Sequence, residues 1–187
     1  ATVDGDSKST QPNAHGVRID DPWEVRVSGY FQANDYLLIS AGGIATDEVA
    51  VPTGSLVSFG VDYAQLDVGF RDHWLSPLND SSSLISTQAE TMPSVTLSNY
   101  VPIGPLGLSY ELFAAEMSEQ SGFPALDGVT PTSGNPRLAG MQAGMSPAEG
   151  LAFAINRVTQ YGGGARNTGL VSNLIDAWTS SNSATAG

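Results

Sequence analysis

The chain contains no cysteine and a single lysine, Lys8. The first absence excludes a disulfide framework, thiolate metal sites and cysteine catalysis. It leaves the compartment open, because an oxidising space permits disulfides without requiring them. The second goes with a general shortage of positive charge: seven Lys and Arg against nineteen Asp and Glu, for a net charge of −12. Phosphate binding takes clustered basic side chains, so nucleic acid is not a fitting partner. Charges of both signs are scarce, at 14% of residues, where about a quarter is usual. No run of about 18 apolar residues occurs, so no helix of this sequence spans a membrane. No signal peptide is visible either. The chain opens ATVDGDSKSTQPNAHG, which is polar and rich in Gly, Ser and Asp.

What remains is polar without being charged. There are 21 glycines in 187 residues, and hydrophobic residues make up 41%. The length suffices for one domain with a core. The mixture suits a β protein with one face against lipid and the other against water or sugar. A Gly-rich secreted β protein is the plainer alternative.

Residues 1–21 read as a loop or disordered segment. After Pro22 the hydrophobic period becomes two. Trp23, Val25, Val27 and Phe31 alternate with Glu24, Arg26, Ser28, Tyr30 and Gln32. A turn at Ala33–Asn34 leads to a return strand from Tyr36 to Gly43. Val57, Phe59 and Val61 oppose Ser58, Gly60 and Asp62, and Tyr63–Ala64 turn the chain into a strand from Gln65 to Arg71. There Leu66, Val68 and Phe70 point one way, and Gln65, Asp67, Gly69 and Arg71 the other. Further strands are expected over Ser94–Tyr100, from Leu106 to Phe113, over Leu138–Ser146 and over Leu151–Gln160. Gly162–Gly164 break the last one, and Leu170, Leu174, Ile175 and Trp178 have helical spacing.

That makes eight candidate strands. Their connections are short at 33–34, 63–64 and 147–150, and long at 44–53, 72–93 and 117–137. The connection at 101–105 reads as an exception, short where a long one is due. Short turns at one rim and long loops at the other describe an outer-membrane meander, whose alternating strands leave no long apolar run. A polar connection of more than twenty residues is also unusual in a compact soluble domain. Eight strands fall short of a large barrel. The end, SSNSATAG, lacks a final amphipathic strand, so the sequence is expected to be an internal portion of a longer protein. A self-closed eight-stranded barrel is the alternative. Three regions follow: a leading segment over 1–21, barrel strands with long outer loops over 22–161, and a Gly-rich loop, short helix and tail over 162–187.

GFRDHWLSP, then LIST, then TMPSVTLSNY, resemble the core signature of the Wzi-type capsule assembly proteins of Gram-negative outer membranes. LSYELFAAEMS, SGNPRLAGM and NRVTQYGGGAR follow in the order that family has them. The resemblance runs from about Trp23 to Trp178. It implies an all-β, antiparallel up-and-down transmembrane β-barrel, of about eighteen strands when complete, in the cell outer membrane. It implies a lectin-like role, retaining capsular polysaccharide or exopolysaccharide at the surface, with no enzymatic activity and no cofactor. The partners implied are the polysaccharide, outer-membrane lipid and the capsule export machinery. A porin-like barrel without sugar affinity and a polysaccharide-modifying enzyme are the competing functions.

The residues themselves offer one constellation for sugars. Arg71, Asp72, His73 and Trp74 sit where a strand leaves for the longest loop. A guanidinium and a carboxylate give hydrogen-bonding forks for hydroxyls, and an indole gives a face for the apolar side of a pyranose. The structural alternative pairs Arg71 with Asp67 or Glu111 and leaves Trp74 capping the rim. Asn135 and Arg137 open a later strand; they are candidates for acidic sugar groups, or a turn with Arg137 in the same inward-facing network. Arg157 and Arg166 flank a glycine run that lacks the GK[ST] of a phosphate loop. For metals, His15 and His73 lie far apart, and neither Asp4 with Asp6 nor Asp20 with Asp21 has calcium-loop spacing. There is no G-x-S-x-G elbow. Asp67, Asp72, Glu111, Glu116 and Glu119 supply carboxylates from which a glycosidase pair would have to come.

Overall fold

The computed structural model describes residues 23–46, 50–77, 84–86, 89–124, 131–164, 169 and 171. The strands are β1 (Val25–Asn34), β2 (Leu37–Ala45), β3 (Ala50–Val51), β4 (Leu56–Val61), β5 (Ala64–Phe70) and β6 (Pro93–Ser98). They continue as β7 (Ser109–Glu116), β8 (Gln120–Pro124), β9 (Pro131–Gly134), β10 (Arg137–Ala148) and β11 (Leu151–Tyr161). One sheet runs in the order β1-β2-β4-β5-β6-β7-β10-β11, with β3 added beside β2, and every pairing is antiparallel. β8 and β9 form a separate hairpin. The eight main strands follow one another in space in their sequence order, which makes the sheet an up-and-down meander. β1 and β11 are its two edges and do not pair, so the self-closed eight-stranded barrel is not what these strands form. The helix expected from Leu170 to Trp178 is not shown; apart from Val171 it lies outside the described residues.

Register explains why the alternation matters. One set of paired positions runs Phe59, Leu66, Leu97, Leu112, Met141 across five strands, and a second runs Ile39, Val57, Val68, Val95, Ala114, Ala139. Their large members Val57, Phe59, Leu66, Val68, Val95, Leu97 and Leu112 are all at least 39% exposed. The intervening rows run Ser58, Asp67, Thr96, Phe113, Gly140 and Gln65, Ser98, Glu111, Gln142, Asn156. There Asp67, Thr96 and Phe113 are buried. The sheet therefore turns aliphatic side chains outward and polar ones inward. Water would penalise so large an exposed apolar face; hydrocarbon would not.

The two rims differ as the sequence suggests, and more regularly. The meander brings the turns at 35–36, 62–63 and 149–150 and the connection 99–108 to one end of the sheet. The connections that follow β2, β5 and β7 all leave and re-enter the sheet at the other. The expected exception at 101–105 is corrected: this connection belongs to the turn rim, so a short one is due there. It is also stitched to its neighbours. The N–H groups of Tyr100 and Val101 donate to the Asp62 carbonyl at 3.0 and 2.8 Å, and Ser146 N–H donates to the Leu106 carbonyl at 3.0 Å. Asn99 replaces a ladder step with its side chain, whose Oδ1 accepts from Tyr110 N–H at 2.7 Å. That ends β6 before Tyr100. The first hairpin turns at Asp35–Tyr36, two residues later than its sequence suggests. There Asn34 Oδ1 accepts the Tyr36 N–H at 2.8 Å, an Asx turn with local hydrogen bonding to fix it.

The inward side carries the core. Leu75, Met92, Phe113 and Ala115 form its main cluster, and Ile44 with Val51 form a smaller one where β3 folds onto β2. Phe113 lies over Gly140: a Cβ at position 140 would stand 2.1 Å from the ring. The ring has little freedom to move aside, because it is also stacked on His73. Gly140→Ala should therefore destabilise the folded sheet by about 1–3 kcal/mol, as overpacking does. In a Phe113→Leu background the cost should shrink. Urea unfolding followed by heat-modifiability measures both, and an equal cost in the two backgrounds would show that Phe113 is not what Gly140 makes room for.

Candidate functional site

Past Phe70 the chain does not leave the sheet; residues 71–77 cross its inward face as a strap. Arg71 starts it. One guanidinium nitrogen, Nη1, donates to Asp67 Oδ2 on β5, and Nη2 donates to Glu111 Oε2 on β7 at 3.1 Å. His73 Nδ1 stands 3.0 Å from the second Glu111 oxygen, Oε1. An ionised carboxylate only accepts, so Nδ1 is the donor and carries the proton. Gln65 Nε2 donates to the other Asp67 oxygen at 2.7 Å. Each carboxylate thus receives two donors, the arrangement in which charge-assisted bonds hold geometry best.

The next residues fasten the strap further along. The His73 ring stacks on Phe113 at 3.7 Å between centroids with 14° between planes. Leu75 is fully buried in the core cluster. Its carbonyl accepts from Asn156 Nδ2 on β11 at 2.9 Å, four strands away from β5 in the sheet order. Thr91 Oγ1 donates to Asp72 Oδ1 at 3.0 Å, tying the end of the long connection to its start. Residues 71–76 hold a fixed course although they have no regular secondary structure, because side chains supply what a ladder would.

The sequence candidates separate into two groups. Arg71, Asp72, His73 and Trp74 stand together on the strap. Arg71 and His73 share the Glu111 carboxylate, and Asp72 is engaged by Thr91. Trp74, at 37% exposure, presents surface between two buried neighbours, His73 and Leu75. Asn135 and Arg137 lie elsewhere on the loop rim. Asn135 Nδ2 donates to the Met117 carbonyl at 3.2 Å. Arg137 is exposed and pairs with Glu116 at 3.6 Å. Its register puts it in line with Ala139 and Met141, on the outward set, so it does not join Arg71 in the inward network. The sequence pattern does not by itself point to Phe113, Gln142 or Asn156 as site residues. An aromatic on the polar side of β7, in phase with Ser109 and Glu111, was the available signal for Phe113. His15, Arg166, Asp4, Asp6, Asp20 and Asp21 lie outside the described residues.

The chemistry of this site is that of a strap anchored by charged hydrogen bonds, with an indole at its edge. An antiparallel meander with an aliphatic outer face, a polar inner face and a long connection folded inward defines the class: a β-barrel wall with an inward strap. The chain belongs to the family described as capsule assembly protein Wzi, whose model it matches over residues 6–187. No curated protein and no solved structure matches it.

The two arginines make a direct test of this geometry. Removing Arg71 leaves Asp67 and Glu111 facing each other with no cation between them, and Asp67 is nearly fully buried. Arg71→Ala should cost about 2–4 kcal/mol, somewhat under the figure for a fully buried pair because Arg71 keeps contact with water. Arg137→Ala should cost about 0–1 kcal/mol, as exposed pairs do. Equal shifts in unfolding midpoint would contradict the placement of either residue.

Proposed function

We propose that the protein retains capsular polysaccharide or exopolysaccharide at the outer surface of the outer membrane, by non-covalent contacts made at its loop rim. One observation carries this reading. The three long connections all leave and re-enter the sheet at one rim, and the longest carries Trp74 between the anchored Arg71, His73 and Leu75. A ligand arriving at that rim meets an indole whose position is already set, so little ordering is lost on binding. The outward aliphatic rows support insertion in a bilayer, with outer-membrane lipid as the second partner.

Each sugar contact of this kind is weak. Covering one apolar sugar face on an indole is worth roughly 1–3 kcal/mol by area. Repetition along a polymer multiplies such contacts through effective concentration. Retention then needs neither bond formation nor bond cleavage. Asp67 and Glu111 are both engaged by Arg71, which suits a structural role for them better than a catalytic pair.

Trp74→Ala should weaken polysaccharide binding per folded molecule by about fivefold or more, from the indole area lost, and the loss should be larger on intact polymer than on one repeat unit. Barrel assembly should be unchanged, since the strap is fastened by Arg71, His73 and Leu75. Binding of purified, folded protein to capsular polymer and to its oligosaccharide is the measurement. An unchanged affinity per folded molecule would leave Trp74 as a structural residue of the rim.

A further inference from the structure

The loop rim holds a second feature, separate from Trp74. Residues 84–86, Ala89, Glu90 and Met92, with the start of the connection that follows β7, line a half-open cavity of about 250 Å³. Its walls are aliphatic and thioether: Leu84, Ile85, Met92, Met117, Leu138 and Val158. Four of these, Ile85, Met117, Leu138 and Val158, pack against the Leu75 cluster, so the floor of the cavity is the same core that anchors the strap. Its lip is polar and carries Glu90, Ser118 and Gln120. Ser118 Oγ donates to Glu90 Oε2 at 2.7 Å, which fixes the carboxylate at the mouth.

Size and lining limit what fits. Pockets for drug-sized ligands run to about 300–1,000 Å³, so this one takes about one substituted sugar residue and not several rings. Among the described residues it has no aromatic wall on which a pyranose face would stack. A long acyl chain would overrun it, and the Glu90 carboxylate disfavours an anionic headgroup or an acidic sugar. An apolar pit behind a hydrogen-bond acceptor matches an acetyl substituent, with the methyl inside and the neighbouring N–H or O–H at the lip. A carboxylate offers about four acceptor positions, so Glu90 can hold Ser118 and a ligand donor together.

We propose that this cavity is a subsite for an acetyl-substituted sugar residue of the polymer, with Glu90 and Gln120 holding the polar groups beside the acetyl. The assignment rests on the polysaccharide-retention reading and adds the chemistry of the repeat unit to it. An N-acetyl amide and an O-acetyl ester share the methyl that the cavity takes, and the two are distinguished by probe.

Full-chain protein in detergent is titrated with chitotriose against cellotriose. It is then titrated with an O-acetylated xylo-oligosaccharide before and after mild alkaline deacetylation. One acetylated probe should bind about tenfold more tightly than its unsubstituted partner, the scale of one methyl in a fitted apolar pocket. Val158→Phe, which fills the cavity, should abolish that preference. Gln120→Trp, on the exposed lip, should do the same without touching the core, and covers the case in which Val158→Phe does not fold. Equal binding of both members of each pair, or a preference that survives the filled cavity, would overturn the subsite. Protein that retains intact capsular polymer but ignores acetylation overturns this assignment alone. Protein that retains no polymer overturns the proposed function with it.

Discussion

The Arg71 guanidinium, held between Asp67 on β5 and Glu111 on β7, is the interaction on which the rest of the arrangement depends. The two strands are not neighbours; β6 lies between them. A cation bridging them across the intervening strand can only sit on the inward face, so the chain leaving β5 must start its path there. His73 then takes the other Glu111 oxygen, Phe113 takes the imidazole face, and Leu75 drops into the core. Trp74 is carried on the strap between these fixtures. An ion pair of this kind is poor evidence of net stability, because desolvation offsets much of its attraction. Its effect here is positional: an alternative course for the strap would leave two carboxylates unpaired.

The sheet as a whole obeys an inverted pattern for the same physical reason. Its inward face combines a hydrogen-bonded charge network around Asp67, Arg71 and Glu111 with the core under the strap. The aliphatic rows from Ile39 to Leu112 point outward. Such a distribution is stable where the outside is hydrocarbon, and membership of the capsule assembly family gives that outside a place. The rims then divide the work. The turn rim is sewn tight by Asn99 and Asp62, whereas the loop rim carries the strap, the β8–β9 hairpin and the apolar cavity.

Much of this was legible in the sequence, because strict alternation in strands such as 65–71 fixes both the strand and its two faces. The eight main strands and the inward direction of Asp67, Arg71 and Glu111 follow from period two alone. The pairing of Arg71 with Asp67 and Glu111 was foreseeable as charge chemistry. Four things were not. β3, β8 and β9 are short and sit in polar segments where no alternation accumulates. Asn34 and Asn99 move turns by side-chain hydrogen bonds that composition does not reveal. Arg137 changes sides because its register is set by pairing with Glu116, not by its own residue type. The inward course of 71–77 was also hidden, since nothing local says that a carbonyl at Leu75 will meet Asn156 eighty-one residues later.

A double-mutant cycle on Arg71 and Glu111 tests the central claim most directly. Arg71→Gln and Glu111→Gln are made singly and together, and unfolding free energies of the refolded protein are compared. The strap account predicts a coupling energy of at least about 1.5 kcal/mol, since contacting members of one network are not additive. Additivity within about 0.5 kcal/mol, the behaviour of distant independent sites, would mean that Arg71 does not bridge to β7. The anchored strap, and with it the fixed position of Trp74, would then be contradicted.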